Sequence, residues 1–469
     1  MIVEKGALRI WRHCWSATIS LAMAFLWMIS LPQWNSQGEV VVTLQASTAG
    51  KLALPFDLAE FEKSNPGIRV RVLPASKTSS KNHQPGEGFE SLDLSTLPDV
   101  VDFKIGRTGD NSYASKVLEH LSDQGALESV DSLIAETGIA LSDFHPAALE
   151  AVTYKGKVWA VPFTGHIQCL GYNKQVFRQL GLQPSFGSWE ELFEAAVSIA
   201  KSGAAGSPVA GLYIGKRNIA NRVNSLEFAE RVACMVGESP LTTSNPTFFQ
   251  SPHLLKVLTL LNRYEKLGAF TESQSMVEGL PESTGMFLIA SKNLRSDDTF
   301  GVLPIPTRLM KDDLPASESR IPGRLFCYGL NRNAAPDRKA AAASLLKWLL
   351  AAETHLDSAK NSDLRVRYPQ RQVGDVVHVP LLLPVLENPA YREFIGDNPD
   401  YAALLKMYEY SVFPRDYNHL LEQARSVAEE ALNSASATGG IPYALERAHE
   451  AFTESLGQTA VKSSTFDEF

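Results

Sequence analysis

Nucleophiles beside a base and clustered metal ligands are the residue patterns that would signal chemistry in this chain. The nucleophile–base spacing that stands out is Ser198-Ile199-Ala200-Lys201, which matches the S-x-x-K pattern of penicillin-recognising enzymes. It falls inside an amphipathic run, and no K-T-G partner accompanies it, so we read it as a chance match. The G-x-S-x-G elbow and the phosphate-cradling G-x-x-x-x-G-K-[S/T] loop are absent. The 10 histidines are scattered, with neither H-E-x-x-H nor a Cys/His cluster, so we expect no metal and no cofactor. Carboxylates are too plentiful for spacing to nominate an acid/base pair. What remains is binding chemistry. Ligand pockets combine apolar and aromatic surface with a few placed polar groups. Ser47 and Thr48 follow an apolar strand and offer hydroxyls at its C-terminal end; a plain turn is the competing reading.

The elements that must position such groups follow an α/β rhythm. Val40 to Leu44 reads as a buried strand. A short helix through Phe56, Ala59 and Phe61 ends at Asn65-Pro66-Gly67. Ile68 to Val72 alternates, placing Ile68, Val70 and Val72 on one face. Strand, helix and strand in that order predict a parallel pair with a right-handed crossover. Pro98 to Phe103 is a third strand, and residues 76–90 a polar loop. Val158 to Pro162 reads as a short strand. Ser188-Trp189-Glu190-Glu191 is a capping box, and Leu192, Ala195, Ala196 and Ile199 follow at helical spacing. Further predictions are a helix over 254–267, strands over 300–305 and 326–330, a polar loop over 308–323, and a helix over 338–352 capped by Asp337. The C-terminal third predicts helices over 400–409, 417–434 and 442–456, the last two broken by Gly439-Gly440.

Composition sets the class. The 469 residues are 44% hydrophobic and 20% charged, as in globular proteins. A net charge of -8 disfavours broad nucleic-acid binding. At the start, Lys5, Arg9, Arg12 and His13 precede an uncharged run from Cys14 to Leu31, the pattern of a secretory signal. The run is long enough, at roughly 27 Å as a helix, to cross a bilayer. Residues 1–36 are therefore either a cleaved signal peptide or a retained anchor, and the bulk lies outside the cytoplasm. Three cysteines, Cys169, Cys234 and Cys327, lie beyond it and cannot all pair.

Five stretches, in order, carry a resemblance. They are Phe61 to Val70, Leu97 to Val101, Lys155 to Pro162 running on to Gly171-Tyr172-Asn173-Lys174, Leu180-Gly181-Leu182 with Ser188 to Leu192, and Phe300 to Pro304 with Ala340 to Glu353. Together they resemble the bacterial extracellular solute-binding proteins of ABC importers, in the sugar-binding, maltose-binding-protein-like family. The resemblance implies an α/β two-lobe periplasmic-binding-protein fold of type II kind, with an interlobe hinge and cleft and a helical C-terminal part. It implies lobe 1 over 38–160 plus 324–353 and lobe 2 over 165–303 plus 365–460. Crossings fall near 160–166, 304–324 and 353–365. The implied function is non-enzymatic: capture of a small polar solute, with a carbohydrate expected, and delivery to membrane permease subunits. The chain is expected to act as a monomer. An exported, membrane-anchored sensor or scaffold with the same fold is the alternative; an exported hydrolase is a weaker third.

The resemblance also nominates ligand contacts. Phe103 takes the aromatic position after the Pro-Asp strand, followed by Arg107, whose planar fork suits an anionic group. Phe163, His166 and Gln168 fall where the family contacts ligand, with His166 standing where maltose-binding protein has an acid. The segment after Gly285-Met286 lacks the family's stacking Trp, which leaves Ser291 and Asn293 as polar candidates. Tyr408, Tyr410 and Tyr417 lie where family aromatics reach the cleft, and Tyr410 and Tyr417 are the candidates for stacking. Core packing is the competing reading for each aromatic, and Trp189 and Trp348 are assigned to the core.

Overall fold

The computed structural model describes residues 39–46, 56–74, 94–106, 114–202, 210–213, 226–239, 245, 247–270, 284–290, 299–316, 318–360, 379–396, 399–413, 427 and 440–464. The N-terminal run therefore lies outside the described residues, as do Ser47, Thr48, Arg107, Ser291, Asn293 and Tyr417.

β1 (Val40–Ala46) and β2 (Ile68–Pro74) pair in parallel, Val40 opposite Ile68 through Ala46 opposite Pro74. Between them the helix Leu58–Ser64 starts at Asp57, whose carboxylate accepts from the Ala59 amide at 3.0 Å. It stops at Asn65, whose side chain donates to the Phe61 carbonyl. β3 (Val100–Gly106) lies beside β1. It is tied there by Asp99, which accepts from the Thr43 amide at 2.8 Å and the Thr43 hydroxyl at 2.7 Å. A short β4 (Leu127–Glu128) and the hairpin β5 (Thr153–Tyr154) and β6 (Lys157–Val158) follow.

The short strand expected at 158–162 is instead β7, 13 residues from Val161 to Asn173. It is followed by β8 (Ala210–Tyr213), β9 (Thr284–Ala290), β10 (Phe300–Leu303) and β11 (Ile321–Asn331). The expected polar loop thus ends at residue 320, because Ile321-Pro322-Gly323 already belong to β11. The pairs β12 (Val379–Pro380) and β13 (Ser411–Val412) complete the described strands.

β7 is the strand that joins the halves. Its first part, Val161 to Ile167, pairs antiparallel with β11, in the order β2-β1-β3-β11-β7. From Gln168 on it pairs with β9, and from Leu170 with β10, while β8 flanks β9. β10 ends on one half and β11 begins on the other, so residues 304–320 return between them. The helix Ala352–Lys360 lies where a third crossing is expected.

Helices cover both halves. Trp189–Ser202 buries Trp189, Leu192, Ala195, Ala196 and Ile199, as its spacing predicts. The Ser188 hydroxyl accepts from the Glu191 amide at 3.2 Å, but Glu191 reaches back to the Gly187 amide at 2.7 Å rather than to Ser188. Pro336–Leu349 starts two residues before the expected start, with Pro336 in its first turn and Asp337 inside it, not capping it. Among the described residues of the C-terminal part the helices are Leu383–Glu387, Pro389–Gly396, Pro399–Tyr408 and Gly440–Ser464, and the helix expected over 417–434 lies outside the described residues apart from residue 427.

Candidate functional site

Successive side chains of a strand point to opposite faces, and register decides which face each residue joins. Phe103 is opposite Cys327, Ile105 opposite Leu325, and Val101 opposite Gly329. That face is core: Phe103 is 2% exposed, Ile105 and Cys327 are fully buried, and the Phe103 ring lies over Gly329. Phe103 thus packs in the interior.

The other face of the same strands is polar. Lys104 is opposite Phe326, which is opposite Thr164 on β7, and Asp102 is opposite Tyr328. Arg324 is opposite Gly106 on one side and His166 on the other. The rings of Phe326 and His166 have centroids 4.5 Å apart, and Lys104 Nζ lies 5.3 Å from the Phe326 centroid, a cation–π contact. Lys104 is buried, whereas Arg324, Phe326 and His166 are partly exposed. The patch sits at the C-terminal end of β3, the edge where open α/β sheets bind ligands. It is adjacent to Gln168, where β7 changes partners.

Below the patch the face becomes apolar. Tyr328 packs edge-on against Phe56 at 5.6 Å, and burial pushes its phenol well up, with Asp102 adding repulsion. A register shift between Phe326 and Cys327 leaves Phe163 as the extra residue of a β-bulge, since Thr164 is opposite Phe326 and Pro162 opposite Cys327. The bulge turns Phe163 inward. It is 1% exposed, 5.4 Å from Phe56, and stacked on His355 at 4.6 Å and 24°. Burial lowers the His355 pKa from 6.5 to about 4.

Beside the crossing, the Tyr408 hydroxyl donates to the Gly165 carbonyl, and His145 Nε2 lies 3.0 Å from the Tyr408 carbonyl. Burial pulls the His145 pKa down, partly countered by that contact. Tyr410 is exposed, and its carbonyl accepts from the Ile321 amide at 2.8 Å. Of the expected residues, His166 lies in the patch, Gln168 marks the partner change, and Tyr410 flanks the start of β11. Lys104, Arg324 and Phe326 were missed. Their signal was two charged residues alternating with apolar ones in β3, and an arginine just before an apolar run.

Elsewhere, a recess of about 660 Å³ lined by Tyr172, Lys174, Phe177 and Arg178 lies at the far end of β7. Its Lys174 is tied to Asp400 at 3.1 Å. The Ser198 hydroxyl donates to the Glu194 carbonyl on an exposed helix face, so the S-x-x-K match is surface. Cys169, Cys234 and Cys327 are buried thiols outside any disulfide, and burial pushes the Cys169 thiol up to about 12. Among the described residues no cluster suits a metal ion.

Residues 45–233 match the family model of the bacterial extracellular solute-binding protein. That match bears out the family likeness. No curated protein sequence matches the chain. Among solved structures, maltose-bound MalE3 of T. maritima is 18% identical, over 88% of this chain and 99% of that one, with a TM-score of 0.58. The cyclic alpha-maltosyl-1,6-maltose binding protein of Arthrobacter globiformis is 19% identical, over 89% and 99%, with a TM-score of 0.63. UgpB of Mycobacterium tuberculosis, in complex with glycerophosphocholine, is 15% identical over 90% and 100%, with a TM-score of 0.59. At these identities the structures establish the fold: the chain has the α/β two-lobe periplasmic-binding-protein architecture.

Proposed function

We propose that this chain is an extracytoplasmic solute receptor of an ABC importer, which captures a small polar solute by lobe closure and hands it to a membrane permease. A carbohydrate or carbohydrate-like solute fits the similar structures, whose ligands include maltose and glycerophosphocholine. The observation that carries the reading is β7. One continuous strand serves both halves and changes partners at Gln168, with a polar and aromatic patch beside the change. A guest touching both halves stabilises the closed form because it makes its full contacts only there. On this reading the lobes follow the expected division, 38–160 plus 324–353 and 165–303 plus 365–460, with the boundary in β7 set at Gln168 and the start of β11 at Ile321 joining lobe 1. Residues 1–36 export the chain or anchor it. Ser291 and Asn293, which follow β9 in the sequence, and Tyr410, beside the start of β11, remain candidate contacts on this reading.

Melting the purified full chain against sugars, polyols and their acidic derivatives tests the reading. A ligand at 100 times its Kd adds about 2.7 kcal/mol to stability. A raised melting temperature with a restricted set of solutes supports the receptor; none with any, in protein shown by mass spectrometry to carry no bound solute, counts against it.

A further inference from the structure

We propose that the helix Pro399–Tyr408 is a splint across the joint between the halves, pinned to the second half at its start and to the first half at its end, and that these two pins set how freely the lobes rotate. This rests on the receptor reading and adds a device that governs closure. The first pin is Asp400. Its carboxylate accepts from the Val302 amide at 2.8 Å and from Lys174 Nζ at 3.1 Å. Val302 is opposite Gly171, and Lys174 follows the last residue of β7, so both lie beyond Gln168 on the second half. The second pin is Tyr408. Its hydroxyl donates to the Gly165 carbonyl, on the other side of Gln168, and its ring lies against Gly165, where an added Cβ would be 2.9 Å from it. The Tyr408 carbonyl lies 3.0 Å from His145 Nε2, and the Tyr410 carbonyl accepts from the Ile321 amide at 2.8 Å. His145 and Ile321 both belong to the first half.

The two pins straddle Gln168, where β7 changes partners. The helix between them has 10 residues and is about 15 Å long. Its length is fixed by its backbone hydrogen bonds, whereas a bend of β7 at Gln168 changes the span from Gly165 to Lys174. The helix cannot follow such a bend with both ends held, so one pin has to lengthen. Asp400 is 8% exposed and Tyr408 3%, and a pin that opens there leaves a buried group without its partner, which costs more than losing the same bond at the surface. Rotation of the lobes is therefore resisted by the pins, and contacts with a solute have to outweigh them. A third buried bond on the same helix has no such role. The Tyr391 hydroxyl donates to the Tyr401 hydroxyl at 2.9 Å, which fastens the splint to the preceding helix and does not cross the joint.

The test is electron–electron double resonance on the full chain, with spin labels at two exposed positions, Ser132 in the first half and Lys256 in the second. The labels are attached through a ketone-bearing amino acid, so that the native cysteines stay unlabelled. The spread of the distance between them reports how freely the halves rotate. Tyr408→Phe and Asp400→Ala each release one pin, and each should broaden the distribution in the absence of solute. A splint fails when either end is released, so the double variant should be no broader than the broader single one; independent contacts would add. Tyr391→Phe is the control. It loses a buried hydrogen bond and some melting temperature, and should keep the width of the unsubstituted chain. Each variant is checked for folding by its melt, and Lys174→Met replaces Asp400→Ala if the latter does not fold. An unchanged width with either pin released, an additive double variant, or equal broadening in Tyr391→Phe overturns the inference and leaves the receptor reading standing. The receptor reading is judged separately, in the unsubstituted chain, by the shift in mean distance when a solute shown to bind by titration is added. No shift there counts against closure, whatever the variants do.

Discussion

His355 shows how one buried side chain sets a pH limit. Its imidazole is 3% exposed, stacked on Phe163, and held neutral down to a pKa of about 4 instead of 6.5. As pH falls below 6.5 the unfolded chain takes up a proton that the folded one refuses. Stability from this group is therefore complete above about pH 6.5, falls between 6.5 and 4, and levels below 4. The loss is on the order of 3 kcal/mol. Urea melts at pH 7.5 and 4.5 should show it, and His355→Phe, which keeps the stack, should flatten the dependence. An equal slope in the variant would remove His355 as the cause. Gly106 sets a steric limit. Its φ is +101°, and an added Cβ would lie 2.2 Å from the Gly323 carbonyl oxygen on the neighbouring strand. Gly106→Ala should cost about 2–4 kcal/mol, through a forbidden backbone and a backbone clash. Gly138→Ala, with φ +77° and open space around it, serves as the comparison and should cost about 1 kcal/mol. Equal losses in urea titration would contradict the clash.

At the scale of elements, the crossing is held from the side by Tyr408. Its hydroxyl donates to the Gly165 carbonyl, and its ring is 3% exposed. Tyr408→Phe keeps the ring and removes the bond, so a loss of about 1–2 kcal/mol is expected in equilibrium unfolding. An unchanged midpoint would mean that the C-terminal segment does not brace β7. The elements with clear periodicity were legible: β1 and β2 with their capped helix, and the helix after Ser188. β7 was not, because Pro162, Gly165 and Gly171 interrupt its pattern while both of its faces find partners. The face of Phe103 was not legible either. Apolar residues on both faces of β3 make the alternation of Asp102 and Lys104 a weak guide, and register with β11 sets Phe103 beside Cys327 on one face and Lys104 beside Phe326 on the other. The bulge that turns Phe163 inward depends on a partner strand some 160 residues away, so local sequence carried no sign of it. The family likeness nominated His166 and Gln168, and the pleat sets Lys104, Arg324 and Phe326 on the same face as His166.

Across the whole molecule, the described residues pack into two halves, each with its own aromatic core. Trp189 is fully buried among Phe193 and Phe228 in one, and Phe56, Phe163 and Tyr328 interlock in the other. Among the described residues the halves are joined by β7 and by the segment between β10 and β11. Such a layout favours rotation of whole lobes over internal repacking, since packed cores do not deform continuously. The central claim is that a solute closes these lobes. It is tested most directly by small-angle scattering on the full chain, first stripped of solute and then saturated with one shown to bind by titration. The account predicts a smaller radius of gyration and a more compact distance distribution on saturation. An identical profile with a solute demonstrably bound would contradict it.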